Sequence, residues 1–225
     1  MTNVTCNCFR RCKHLGARFI IGLLDRNISV TAISRSPLNP EVMSALNSST
    51  TASSHQLVSE YTNTVLEGNY EYIFFTSGFF MFSNLTSLTD EDIRISMSEN
   101  IVSPIILTKR LLQEPSLNFN KTTNFIYIGS TSAYEGFAKT GVYCAAKFAF
   151  RGFVKSMNSE YASTGVRFWL ASMGTVNTRM GRLFANSIGR KLETLLDPNR
   201  IALRVLASVL ESSDSYEPEM MFRIR

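Results

Sequence analysis

The chain has 225 residues, of which 44% are hydrophobic and 18% charged, enough for one domain with a sizeable core and too apolar for a disordered one. Its net charge of +5 is spread over scattered basic residues, which argues against a nucleic-acid surface but suits a phosphate-bearing cofactor or an acidic substrate. No apolar run approaches the roughly 18 residues of a membrane span, and no apolar stretch before a cleavage site marks a secretory leader, so a cytoplasmic protein is expected.

In chain order, Thr2 to Thr5 reads as a short first strand and Leu15 to Asp25 as a helix, apolar at Leu15, Phe19, Ile20, Leu23 and Leu24. Ile28 to Ser34 is a β-branched second strand, Pro37 to Asn47 a turn and short helix, Asn47 to Ser54 a Ser/Thr-rich loop, and His55 to Leu66 a helix. Tyr72 to Thr76 is the next strand. Thr89 with Asp92 three residues on has the form of a capping box, opening a helix that runs to about Leu112. Phe125 to Gly129 is a strand, Val142 to Ala162 a helix, and Val166 to Ala171 a buried strand. After a partly helical stretch from Arg179 to Leu195, Asp197-Pro198 signals a helix start, N-cap followed by proline, for a helix to Leu210. Met220 to Ile224 closes the chain as an edge strand. The alternation, with no internal repeat and no linker, predicts a single α/β domain over residues 1–225: a doubly wound parallel sheet with helices on both faces.

The chemistry concentrates at Tyr143 and Lys147. Four residues apart on a helix, they share a face. A free phenol has a pKa of about 10, and a neighbouring ammonium favours the phenolate, so the pair can shuttle a proton to or from a substrate oxygen. Thirteen residues earlier, Ser130 ends an apolar strand and offers a hydroxyl to a carbonyl oxygen as charge develops on it. Asn100 lies in a long amphipathic helix, followed by an apolar run that turns it inward.

In this order and spacing, Asn100, Ser130, Tyr143 and Lys147 resemble the catalytic tetrad of the short-chain dehydrogenase/reductase family. The resemblance extends from about Val4 to Leu210. Tyr72 to Gly78 is similar to the family strand ending in Asn-Asn-Ala-Gly, with only Gly78 kept, and Ser172 to Thr178 to its Pro-Gly-x-Val-x-Thr segment, with Met173 in place of proline. The resemblance implies a Rossmann-like fold, a nicotinamide dinucleotide cofactor, and carbonyl–alcohol interconversion with Ser130 holding the oxygen, Tyr143 donating the proton, Lys147 lowering the phenol pKa and binding the ribose, and Asn100 positioning a relaying water. Gly78 would let the cofactor pass close to the strand end, and Thr178 would hold the carboxamide. It further implies a homodimer or homotetramer through the two long helices, where Phe148, Phe150 and Phe153 fit either an interface or the core, and a lid over residues 175–195 that sets selectivity without naming a substrate.

The first strand-to-helix turn departs from that family, which has Thr-Gly-x-x-x-Gly-x-Gly there. Gly16 aligns with the last glycine, the other two have no equivalent, and the loop from Thr5 reads as about four residues longer. Either Arg10, Arg11 and Lys13 hold phosphate by charge, or the loop is degenerate and the protein is a binding or regulatory member of the fold. Ser34, neutral where NAD users commonly carry Asp, and Arg35 after it favour the 2′-phosphate of NADP(H) over NAD(H). A sugar-nucleotide epimerase would need a substrate domain for which 225 residues leave no room. Cys6, Cys8, Cys12 and His14 match no common zinc spacing, so free thiols are expected and no metal site; Cys144 reads as a helix packing residue.

Overall fold

The computed structural model describes residues 3–8, 15–59, 70–114, 122–211 and 216–223, and the side chains from residue 15 onward within them. Seven parallel strands form one sheet in the order β3-β2-β1-β4-β5-β6-β7. The elements run β1 (Asn3–Cys8), α1 (Leu15–Leu24), β2 (Ser29–Ser34), α2 (Pro40–Ser48), β3 (Ser54–Leu57), β4 (Tyr72–Phe75), α3 (Asp90–Met97), α4 (Ser103–Leu112), β5 (Thr123–Ile128), α5 (Gly141–Glu160), β6 (Val166–Met173), α6 (Arg179–Ser187), α7 (Pro198–Leu210) and β7 (Glu219–Phe222). The strand order reverses between β1 and β4, and in such sheets ligands bind beyond the carboxyl ends of the strands at that switch point.

A strand buried on both sides sends alternate residues to opposite cores. Phe74, Ile126 and Trp169 meet Phe19, Ile20 and Leu23 of α1 and Ile201, Val205 and Leu206 of α7 on one face. Ile73, Phe75, Phe125, Tyr127, Phe168 and Leu170 meet Leu107 and Leu111 of α4 and Ala146, Phe150 and Val154 of α5 on the other. Phe150 is therefore a core residue, whereas Phe148 points outward. The Trp169 indole Nε1–H donates to Asn124 Oδ1 at 2.8 Å across adjacent strands. Trp169→Phe keeps the ring contact but strands that buried carbonyl oxygen; we expect a loss of about 1–3 kcal/mol in denaturant unfolding, and a change below a few tenths would show that the bond contributes nothing.

The predicted helix starts hold where capping chemistry announced them. Thr89 and Asp92 form a reciprocal capping box on α3, and Asp197 accepts from the Arg200 amide at the head of α7. The predicted helix from Thr89 to Leu112 is one continuous run interrupted by a π-turn at Ser98–Val102. Several boundaries differ from the sequence reading, three of them with consequences for the sheet. The first strand does not stop at Thr5 but runs on to Cys8, pairing Cys6, Asn7 and Cys8 with Ala32, Ile33 and Ser34. The segment from His55 begins as strand β3, not helix, because Ser54 to Leu57 pair along β2; residues 60–69 lie outside the described residues. β7 starts at Glu219, whose carboxylate takes two nitrogens of Arg151 from α5 and the Tyr134 hydroxyl, fastening this edge strand to the body.

Candidate active site

Tyr143 and Lys147 lie one turn apart near the start of α5, both buried, with Lys147 Nζ 5.5 Å from the centre of the phenol ring. Ser130 caps a short 3₁₀ turn, Thr131–Ala133, at the carboxyl end of β5 and accepts from the Ser132 amide; its hydroxyl also meets that of Tyr143. The third approach comes from β4. A Cβ added at Gly78 would stand 3.5 Å from Asn100 Oδ1 and 3.8 Å from Lys147 Nζ. The strand-end glycine, Asn100, Ser130, Tyr143 and Lys147 thus converge at the carboxyl end of the sheet, as their order along the chain suggested.

Asn100 sits inside the π-turn, a helical irregularity often found at functional sites. It faces inward, 2% exposed. Its amide nitrogen donates to the carbonyls of Phe79 (2.6 Å) and Ser96 (2.9 Å), and its Oδ1 accepts from the Phe79 amide at 3.1 Å. One N–H and Oδ1 thereby clasp the residue after Gly78, the other N–H is tied to the preceding helical turn, and only one lone pair of Oδ1 is left over.

The electrostatics correct one expectation. Lys147 does not lower the Tyr143 pKa here. Burial pushes the phenol up to about 12, opposed by its hydrogen bond with Ser130. The same burial brings Lys147 down to about 8. Burial disfavours the charged form of each group, so it raises the phenol and lowers the ammonium.

Aromatic residues that the motifs did not announce wall this site. Phe80 meets the Tyr143 ring edge-on at 5.0 Å and Phe184 at 5.3 Å, and Phe82 meets Phe184 at 5.6 Å. Phe184 belongs to α6, so the helix after β6 closes onto the tyrosine through rings. The run Phe79-Phe80-Met81-Phe82 was the signal in the sequence; only its position after Gly78 gives it meaning. Gly181 fixes how α6 starts, since a Cβ there would fall 1.9 Å from the Val176 carbonyl oxygen.

The residues assigned to a dinucleotide divide into two groups. Gly16 is buried in the first turn of α1, the helix that follows β1 and leads to β2. Ser77 adds a buried hydroxyl with no hydrogen-bond partner. Together with Gly78, which presents backbone without a side chain, these fit a cofactor lying along the strand ends. Ser34 is fully buried; its hydroxyl donates to the Ser36 carbonyl at 2.6 Å and meets His55 Nε2 at 2.8 Å. Arg35, expected to await a phosphate, instead grips both carboxylate oxygens of Glu99 at 2.9 and 2.7 Å. Thr178 caps α6 by accepting from the Gly181 amide.

Arg10, Arg11 and the side chains of Cys6, Cys8, Cys12 and His14 lie outside the described residues. β1 is described to Cys8 and α1 from Leu15, and the loop that the sequence reading expects to be about four residues longer lies between them, outside the described residues. Cys144 is buried against the Thr140 hydroxyl, a packing role as expected. Among the described residues no cluster of His, Cys, Asp and Glu could hold a metal ion, and no helix is long and apolar enough to cross a membrane.

A doubly wound parallel sheet that gathers Asn100, Ser130, Tyr143 and Lys147 at the carboxyl ends of its strands has the fold and site pattern of the dehydrogenase class. The short chain dehydrogenase family profile matches residues 13–187, and the chain belongs to that family. It is 26% identical over 157 residues to a sepiapterin reductase of Chlorobaculum tepidum, covering 69% of this chain and 62% of that one. It is 30% identical over 121 residues to carbonyl reductase family member 4 of Xenopus tropicalis, covering 54% and 50%. The chain thus spans between half and about three fifths of the length of these curated relatives. Its fold matches an alcohol dehydrogenase of Thermococcus sibiricus, solved with 5-hydroxy-NADP, at a TM-score of 0.78 and 19% identity over 97% of this chain and 96% of that one.

Proposed function

We propose that the protein reduces a small-molecule carbonyl to an alcohol with NADP(H), in preference to NAD(H), as cofactor. The observation that carries this reading is the convergence of Tyr143, Lys147 and Asn100 at the strand-end Gly78, with the Ser130 hydroxyl against the phenol. A bound nicotinamide nucleotide would supply the hydride. Ser130 then holds the carbonyl oxygen, and Tyr143 gives it a proton. A phenol pKa of about 12 keeps that proton in place at neutral pH, which suits reduction more than oxidation. Lys147 lies where it can hold a ribose and pass a proton onward. Asn100 holds the segment after Gly78 in shape, and its spare lone pair on Oδ1 is where a relaying water would dock. Gly16, Ser34, Arg35, Gly78, Thr178 and the undescribed Arg10 and Arg11 are the residues we assign to the dinucleotide.

Residues 175–195, carrying Phe184, form the lid in this reading, over a single domain of 225 residues. The relatives named for sepiapterin and carbonyl reduction support a ketone or aldehyde substrate. The exposed side chains of Val102 (46%), Ile106 (36%) and Phe148 (45%) on the π-turn, α4 and α5 support assembly as a homodimer or homotetramer through those helices.

The test is direct. Purified protein is titrated with NADPH and NADH while nicotinamide fluorescence is followed, and the complex is offered a panel of aromatic and aliphatic ketones and aldehydes. Binding followed by carbonyl-dependent loss of reduced cofactor is expected. Failure to bind either nucleotide at millimolar concentration would leave the fold as a binding or regulatory module.

A further inference from the structure

The Arg35–Glu99 pair bears on the cofactor question in a way that neither residue does alone. Arg35 follows β2, on one side of the switch point, and Glu99 precedes Asn100 in the π-turn, on the β4 side. Their side chains are only 22% and 15% exposed. The contact is bidentate, the strongest geometry open to a guanidinium. Partial shielding removes much of the solvent screening that makes exposed pairs weak.

We propose that Glu99 is a specificity-determining residue that restrains the preference for a 2′-phosphorylated nucleotide. This inference rests on the cofactor reading above. A 2′-phosphate that seeks Arg35 must displace a carboxylate from both terminal nitrogens or share the guanidinium with a like charge, and either costs affinity. A ribose hydroxyl has the opposite need. It can donate to an acidic side chain, the role an Asp at the end of the second strand plays in NAD-binding folds of this type. Ser34 does not offer itself in that way, being fully buried with its hydroxyl turned to Ser36 and His55. Glu99, reaching in from the next helix, supplies the missing carboxylate and is held there by Arg35. Arg35 alone would select the phosphorylated cofactor; the pair pulls the choice back toward the plain ribose.

The experiment compares adenosine 2′,5′-bisphosphate with adenosine 5′-monophosphate, and NADPH with NADH, by calorimetry on the full chain. Glu99→Gln keeps the side-chain size and removes the charge; Glu99→Ala removes the contact altogether. Either should shift the affinity ratio toward the 2′-phosphorylated member by about five- to tenfold, roughly 1 kcal/mol or a little more. In an Arg35→Gln background the same change should shift the ratio by clearly less, because only the direct contact of the carboxylate with the ribose is then lost. An unchanged ratio in both Glu99 variants, or a shift of equal size without Arg35, would overturn the proposal. Should the natural protein bind none of these nucleotides, the reductase reading falls by itself. The variants still decide the inference in that case: a gain of bisphosphate binding on loss of Glu99 supports it, and no gain overturns it.

Discussion

Tyr143→Phe should lower kcat by about 10³-fold or more, within the range assigned to a positioned general acid, while the dissociation constant for NADPH stays close to its natural value. The phenol ring lies against Phe80 edge-on, a contact that phenylalanine preserves, so the pocket should keep its shape. What disappears is the hydroxyl that meets Ser130. Stopped-flow single-turnover measurement separates this from a defect in binding or release. Natural single-turnover rates in the Phe variant would remove Tyr143 from the proton path and leave Ser130 or water as the donor.

The pH dependence follows from the same burial. With the phenol pushed up to about 12, its deprotonation lies beyond the working range, and it cannot give the alkaline limb of kcat/KM in the free enzyme. Lys147, brought down to about 8, can. The sign for stability is the reverse of a favourable ion pair. A lysine whose folded pKa lies below its unfolded value of about 10.4 binds fewer protons in the folded state between pH 8 and that value. Its burial therefore costs stability below pH 8, and that cost is relieved as pH rises through the interval.

Much of this was legible in the sequence because it is written locally. Caps are side chains acting on backbone within three residues, so Thr89, Asp92 and Asp197 announced their helices. The tetrad was legible because helical periodicity ties Tyr143 to Lys147 and strand ends expose Ser130. What escaped lies between segments distant in sequence. Nothing near Arg35 reveals that a carboxylate 64 positions away fills its fork. Ser54 to Leu57 is strand because β2 offers an edge, not through any strong preference of Ser-His-Gln-Leu. Nor could spacing tell whether desolvation or the ammonium would govern the Tyr143 phenol, because that balance depends on how completely Phe80 and its neighbours exclude water.

The second large effect is expected at Gly181. In the first turn of α6 it passes so close to Val176 that an added methyl would stand 1.9 Å from the carbonyl oxygen and 3.0 Å from the carbonyl carbon. Both atoms are backbone, so no side chain can swing aside. Gly181→Ala must therefore lift the start of α6, breaking the bond from the Gly181 amide to the Thr178 hydroxyl at 3.2 Å. Overpacking of this kind costs about 1–3 kcal/mol, with the lost cap adding about 1 kcal/mol. The catalytic consequence should exceed the loss of stability. Phe184 sits one turn further on and closes against Phe80, which in turn meets Tyr143. A shift of about 1 Å at the head of this helix can cost on the order of 10²-fold in rate, so kcat/KM should fall by about that factor while the affinity for adenosine 5′-monophosphate, bound far from α6 in the proposed pose, holds. Gly152 provides the contrast: on the exposed side of α5, a Cβ there meets nothing within 4 Å. Alanine at Gly152 should leave turnover intact and raise stability by about 0.5–1 kcal/mol through helix propensity. Equal kcat/KM in the two alanine variants would mean that α6 does not shape the pocket, and selectivity would then have to be sought in the segment after Gly78.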